Sequence, residues 1–370
     1  MNQTFTVKDL LACEVFDSRG MPTVACRVDL SEGGSGFMQV PSGASTGQFE
    51  AFELRDGQSD RFAGKGVRKA IDSIELLIKP ALKNRSFSSL AELDGVLCQL
   101  DGTDQKKKLG ANALLAVSGA FARACASSCQ QPLYRFFSAD ACQLPVPMMN
   151  VINGGRHAQN PIAIQEFMIV PFGFSSFSEA LQASFEVTAS LDSMLKAGGF
   201  SRARGDEGGF APSMKDPREV LDFLTLAIQK SGLGHDQVAI ALDMAASEYC
   251  NQDGYFLDKA GDCVYDKQQW VSFIGSLVDA YPIVSIEDPA SDDDNESWFQ
   301  LTKLLGDRVQ LVGDDVFVTQ KSRLEAGVAG NMANAILIKP NQVGTITETL
   351  ATIRCAREHG YATVVSHRSG

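Results

Sequence analysis

The sequence predicts a two-domain α/β protein, a small α+β unit followed by a barrel of alternating strands and helices. Three observations predict it. A chain of 370 residues exceeds one ordinary domain. Its second half alternates short apolar runs with amphipathic helices, the mark of parallel βα units. Each of those runs also ends on a polar residue: Asp243, Glu287, Asp314, Lys339 and His367. The steps from Glu287 to Asp314, Lys339 and His367 each span about one βα unit, so these groups converge on one rim. In a (β/α) barrel that rim, at the C-terminal ends of the strands, is where catalysis sits. An open doubly wound sheet would string them along an edge instead.

The elements follow in chain order. Residues 1–40 read as strands and turns, with "TVACRVDL" alternating, "SEGGSG" making a corner and "FMQVP" resuming. Helical periodicity runs through "VRKAIDSIELLIKPALK", "SLAELDGVLCQL" and "LGANALLAVSGAFARACAS". Strands followed by packed helices make an α+β unit over 1–138. The barrel occupies 139–370 and opens with the apolar runs "PVPMMNVIN" and "QEFMIVP". Two long helices are expected across 175–199 and 217–231. The strands "VAIALDMA", "IVSIEDP", "VQLVGDD", "AILIKP" and "ATVVSHR" then alternate with helices such as "KQQWVSFIGSLVDAY" and "TITETLATIRCAREHG".

A net charge of −12 argues against general nucleic-acid binding, which needs a basic footprint. No run reaches the ~18 apolar residues of a membrane span, and the first twenty residues lack the cationic and apolar segments of a signal peptide. The nine cysteines lie mostly in apolar stretches and complete no zinc pattern. Reduced, buried thiols of a cytoplasmic protein are expected.

Asp243, Glu287 and Asp314 each end an apolar strand. A lone Asp there would serve as a cap for the following helix. Three carboxylates on one rim repel unless a cation neutralises them, and an all-oxygen set implies a hard ion, Mg²⁺. Lys339 is next in order around the rim and can act as a general base, or can send its ammonium to water along a buried stem. "ARGDEGGFAP" sets Asp206 and Glu207 among glycines, a place for a general acid or for ordinary turn chemistry. The loops "VPSGASTGQFEAFELRD" and "NGGRHAQN", the second carrying His157, can cover a ligand or be surface turns.

Taken together, "DSRGMPTV", "VPSGASTGQFEAFELRD", "NVINGGRHA", "QEFMIVP", "GDEGGFAP", "ALDMAASEY", "SIEDP", "GDDVFVT", "LIKPNQVGT" and "VVSHRSG" make the whole chain resemble the enolases. The resemblance implies an α+β N-terminal domain and a barrel of the ββαα(βα)₆ kind, whose second strand is antiparallel. The implied activity is reversible dehydration of 2-phospho-D-glycerate to phosphoenolpyruvate. Carried over by motif, Asp243, Glu287 and Asp314 match the ligands of one Mg²⁺, and Ser45 matches a ligand of a second. Lys339 matches the base for the C2 proton, and Glu207 the acid for the 3-hydroxyl with Glu166 beside it. His157, Gln165, His367, Arg368 and Ser369 match substrate-binding positions, Arg368 and Ser369 for the phosphate. A homodimer or an assembly of dimers in the cytoplasm is implied as well.

Three substitutions depart from the family pattern: Arg156 for a small residue, Gln159 for glycine and Met21 for asparagine. The family also continues with a helix, an eighth strand bearing a second lysine, and a terminal helix. None follows Gly370 here. The expectation is therefore a barrel missing its last unit, with aggregation and little activity for this chain alone. The alternatives are a catalytically impaired relative with a binding role, or another acid-sugar dehydratase on the same barrel.

Overall fold

The computed structural model describes residues 4–43, 49–57, 60–257, 264–366 and 368. Alternation in the N-terminal unit gives an antiparallel meander of β1 (Phe5–Phe16), β2 (Pro22–Leu30) and β3 (Ser35–Gln39). Between β1 and β2 the "DSRGM" turn is closed by Asp17, which accepts the Arg19 and Met21 N–H groups at 2.8 and 2.9 Å. Met21 takes part through its backbone, so its side chain departs from the family at no cost to the turn.

A chain segment of α1 (Arg68–Asp72), a π turn over Ser73–Ile78 and α2 (Lys79–Leu82) buries Ile74, Ile78 and Leu82. The short β4 (Ser86–Phe87) completes the sheet order β3-β2-β1-β4. Next come α3 (Leu90–Asp101), capped by Ser89 and ended by Gly102 at φ 69°, and α4 (Ala111–Ser128). α4 is small and apolar nearly all round, so it is buried on nearly every side, against β2 and β3. Gly36 permits this approach: a Cβ there would lie 2.1 Å from the Ala120 carbonyl oxygen. α5 (Leu133–Phe137) follows, and residues 138–148 connect the two units.

The second unit begins with β5 (Met149–Asn153) and β6 (Glu166–Val170). Two helices then run in succession, α6 (Phe177–Ala197) and α7 (Pro217–Lys230). Ser176 and Glu179 form a capping box on α6, and Asp216 with Pro217 starts α7. β7 (Ala239–Asp243) is followed by a small three-stranded sheet, β8 (Cys250–Asn251), β9 (Gly254–Phe256) and β10 (Val264–Tyr265). That sheet accounts for the long gap between Asp243 and Glu287. Regular alternation resumes with α8 (Lys267–Ala280), β11 (Ile283–Glu287), α9 (Asn295–Leu305), β12 (Gln310–Gly313) and α10 (Lys321–Ala329). It ends with β13 (Ala335–Ile338), α11 (Ile346–Glu358) and β14 (Ala362–Val365).

Among the described residues the barrel sheet has seven strands in the order β14-β13-β12-β11-β7-β6-β5, with β5 and β14 at its edges. β6 runs antiparallel to both neighbours, and β7, β11, β12, β13 and β14 are parallel. This is the ββαα(βα) order that the resemblance implied. Trp270 and Trp298 are fully buried in the core between sheet and helices. Their indole N–H groups donate to the Pro289 and Ser291 carbonyls at 2.7 and 3.1 Å, fixing the loop after β11.

The N-terminal unit receives the start of α11. Ser118 Oγ accepts the Ile346 N–H at 3.0 Å, Asp94 Oδ2 accepts the Thr347 N–H at 3.0 Å, and Lys106 pairs with Glu348 at 3.0 Å.

Candidate active site

Strand register assembles the site. The parallel pairing of β7 with β11 sets Asp243 opposite Glu287 at the C-terminal ends of both strands. Asp314 follows β12 and Lys339 follows β13 on the same rim. β6 is antiparallel, so its first residue, Glu166, reaches that rim, paired with Asp243 on one side and Asn153 on the other. One cavity of about 740 Å³ opens there. Asp243, Glu287, Asp314 and Lys339 line it, as do His157, Gln165, Glu166 and Glu207 from the first half of the barrel, and Arg368. Ser45, His367 and Ser369 lie outside the described residues.

The glycine-rich loops come together by backbone bonds. Gly205 N–H donates to the Gly209 carbonyl, Asp206 N–H to the His157 carbonyl at 3.0 Å, and Gly209 N–H to Asn153 Oδ1 at 2.9 Å. A Cβ on Gly205 would sit 2.6 Å from the His157 carbonyl oxygen, so the two loops touch only because that residue is glycine. The result brings His157 Nδ1 to 3.8 Å from Glu207 Oε1. Arg156 forms an ion pair with Glu248, which also lines the cavity, and its own side chain is mostly exposed. Gln159 is exposed.

The carboxylates are buried and crowded, and their acidities show it. Burial pushes Asp243 up to about 7 against the opposing effects of Gln165 and Lys339. Its Oδ2 accepts from Gln165 Nε2 at 2.9 Å and its Oδ1 from Ala245 N–H at 3.0 Å. Burial, then the charges of Asp243 and Asp314, hold Glu287 well above the carboxylate range. Glu166 is raised by burial, then by its hydrogen bond with Glu207 and the charge of Asp243. Lys339 is bonded to Asp314. Burial alone would depress its ammonium, but Asp314 and Glu287 outweigh that and hold the pKa above the usual lysine value.

Two further acids belong to this rim and were not singled out from the sequence. Asp288, at φ 40°, turns its carboxylate back to accept the Asp314 and Asp315 N–H groups, each at 2.9 Å. Asp288, Asp314 and Asp315 also form the carboxylate group whose oxygens fall within 4.8 Å of one another among the described residues. Asp288 already spends both oxygens on backbone donors, so its part is to fix the tips of β11 and β12. The adjacent acids in "IEDP" and "GDDV" were the available signal, but the pairing depends on register.

An all-oxygen set of buried acids, in which burial and neighbouring carboxylates raise Asp243 and Glu287 and one lysine offsets the charge, fits a hard dication. A cation at Asp243, Glu287 and Asp314 would supply the countercharge that Lys339 now supplies to Asp314.

Comparison with known proteins gives the family. The family model "Enolase, N-terminal domain" matches residues 7–137, and "Enolase, C-terminal TIM barrel domain" matches residues 141–370. The enolase of a Nitratiruptor species is 50% identical over 366 residues, covering 98% of this chain and 86% of the relative. The enolases of Helicobacter pylori and Helicobacter acinonychis are each 50% identical over 368 residues, covering 99% of this chain and 86% of the relative.

Proposed function

The chain belongs to the enolase family and carries its activity, reversible dehydration of 2-phospho-D-glycerate to phosphoenolpyruvate, which corrects the expectation of little activity, since the match covers 98% of this chain and 86% of the relative; from that premise we propose how its own residues divide the work. The observation that carries the assignment is the convergence of Lys339, the strand-end carboxylates and the Glu166–Glu207 pair on one cavity.

Asp243, Glu287 and Asp314 hold a magnesium ion, and Ser45, by the resemblance, belongs to a second. Magnesium bound there supplies positive charge against the charge that builds on the substrate carboxylate when C2 loses its proton. Lys339 takes that proton as the free amine: Asp314 and Glu287 favour its ammonium, and a cation that took over the charge of those carboxylates would let it deprotonate. Its place is fixed from the backbone, since its N–H donates to the Thr319 hydroxyl at 2.8 Å and Pro340 ends the strand. The electron pair left at C2 then expels the 3-hydroxyl, and Glu207 gives that group a proton so that it departs as water. Glu166, buried and bonded to Glu207, keeps a proton within the pair. His157 and Gln165 orient the substrate, and Arg368 with His367 and Ser369 takes the phosphate. The N-terminal domain is drawn at residues 1–138 and the barrel domain at 139–370, and the role of Ser45 rests on the resemblance alone. The working form is a cytoplasmic homodimer or an assembly of dimers, on the family's precedent. No helix of the described residues is long and apolar enough to cross a membrane.

The test is to mix the chain with 2-phosphoglycerate and follow phosphoenolpyruvate by absorbance. Product is expected with Mg²⁺, lost on chelation and restored by adding Mg²⁺ back. Formation that continues at the same rate after chelation would contradict the metal assignment.

A further inference from the structure

Gln342 has no part in the roles assigned above. It closes the short turn Pro340–Gln342 after β13 and is fully buried. A buried primary amide must place both its N–H donors and its carbonyl oxygen. The oxygen, Oε1, accepts from the Thr319 hydroxyl at 2.7 Å. That hydroxyl already accepts the Lys339 N–H at 2.8 Å, so its single proton goes to the nearer of two oxygens, Gln342 Oε1 rather than the Leu337 carbonyl at 3.2 Å. This bond decides which end of the amide is which. The nitrogen therefore faces two carboxylates, Asp314 Oδ1 at 3.0 Å and Glu50 Oε1 at 3.3 Å.

Those carboxylates come from different domains. Asp314 ends β12 on the barrel rim, whereas Glu50 lies in the N-terminal unit. The neighbours of Glu50 are seated on the barrel as well. Ala51 N–H donates to the Gln342 carbonyl at 2.8 Å, and Gln320 Nε2 donates to the Phe49 carbonyl at 2.6 Å. The Arg323 guanidinium lies 4.0 Å over the centre of the Phe49 ring.

We propose that Gln342 is a positioning residue whose amide joins the Asp314 carboxylate to Glu50, setting Asp314 for its cation and seating Phe49–Ala51 on the rim. The inference rests on the reading of Asp314 as a magnesium ligand. Gln342 holds one oxygen of Asp314 while Lys339 holds the other. A neutral donor is the chemistry this place needs. A carboxylate at 342 would crowd three acids together, and a hydrocarbon would leave two carboxylate oxygens short of a donor.

Gln342→Met keeps the length of the side chain and removes both donors. Magnesium affinity is measured by calorimetry on the whole chain without substrate, together with hydrogen exchange at Phe49–Ala51 and kcat at rising Mg²⁺. Affinity is expected to fall about 10- to 100-fold, the usual cost of losing a partner of a metal ligand. Exchange at Phe49–Ala51 should quicken, and kcat should recover as Mg²⁺ approaches saturation, which a general folding defect would not allow. Glu50→Ala separates the two arms: exchange should quicken while magnesium affinity holds. If Gln342→Met does not fold, Thr319→Val, which removes the orienting hydroxyl, should weaken magnesium in the same direction. Unchanged affinity in the folded variant, alongside loss of binding in Asp314→Asn, would overturn the role of Gln342 and leave the magnesium reading standing. Full binding by Asp314→Asn would overturn both.

Discussion

Glu207 stands in a loop that Gly205, Gly208 and Gly209 fold back against the end of β5, with Asn153 Oδ1 receiving the Gly209 N–H. Its neighbours in space are His157, at 3.8 Å, and Glu166, which burial and their shared hydrogen bond keep above the ordinary carboxylate range. A carboxyl so placed can give a proton to a departing hydroxyl. Glu207→Gln should therefore slow loss of the 3-hydroxyl by about 10²–10⁴-fold, the usual worth of a general acid. Exchange of the C2 proton with solvent should persist, and quench-flow with isotope analysis separates the two steps. Equal loss of both would mean that the acid and base roles are misassigned. Residues like these were legible in the sequence to different degrees. Asp243, Glu287, Asp314 and Lys339 stood out because each interrupts an apolar run at its end. Asp288 and Gln342 did not, because their partners are chosen by which strand tips register brings together. Glu166 reaches the rim because its strand runs backwards, a direction that the residues of "QEFMIVP" do not encode and that the family resemblance supplied.

Helices α3 and α11 meet through Asp94, which is buried at the junction of the two domains. Its Oδ2 accepts the Thr347 N–H, with Ser118 on α4 and Glu348 on α11 close by. Burial pushes this carboxyl up to about 6, with Glu348 adding to the rise against the hydrogen bonds of Thr347 and Ser118. The sign for stability follows from linkage. Below about pH 4 Asp94 is protonated whether the chain is folded or not, and contributes no pH dependence. Between about 4 and 6 the unfolded chain gives up its proton first, so folding weakens as pH rises, by about 3 kcal/mol in all. Above the folded pKa the loss is constant. In Asp94→Asn this component vanishes, so the variant should gain on the parent chain as pH rises from 4.5 to 7. Urea unfolding at both pH values checks it, and parallel behaviour of the two proteins would contradict it. The long helices of the barrel were plain from their amphipathic pattern: 175–199 and 217–231 became Phe177–Ala197 and Pro217–Lys230. The sheet of β8, β9 and β10 was not foreseen. Its strands are two or three residues long, too short for alternation to show.

Across the whole molecule, the fold works by bringing strand ends from distant stretches of sequence to one rim and resting the N-terminal unit beside it. The order of elements was legible because parallel βα units leave a strong mark, an apolar run closed by a polar residue and followed by a helix. Contacts between the domains were not, since Asp94 and Ser118 on their helices and Lys106 in the loop between them look like ordinary polar residues until α11 arrives against them. What unites the rim is the claim that one lysine, held among carboxylates, removes the C2 proton of the substrate. The direct test is to incubate 2-phosphoglycerate with the chain in deuterated water containing Mg²⁺ and measure deuterium at C2 of the recovered substrate, for the parent protein and for Lys339→Ala. The parent should incorporate deuterium and Lys339→Ala should not, while still binding Mg²⁺ and keeping its fold. Incorporation by Lys339→Ala at a rate comparable to the parent would contradict the account.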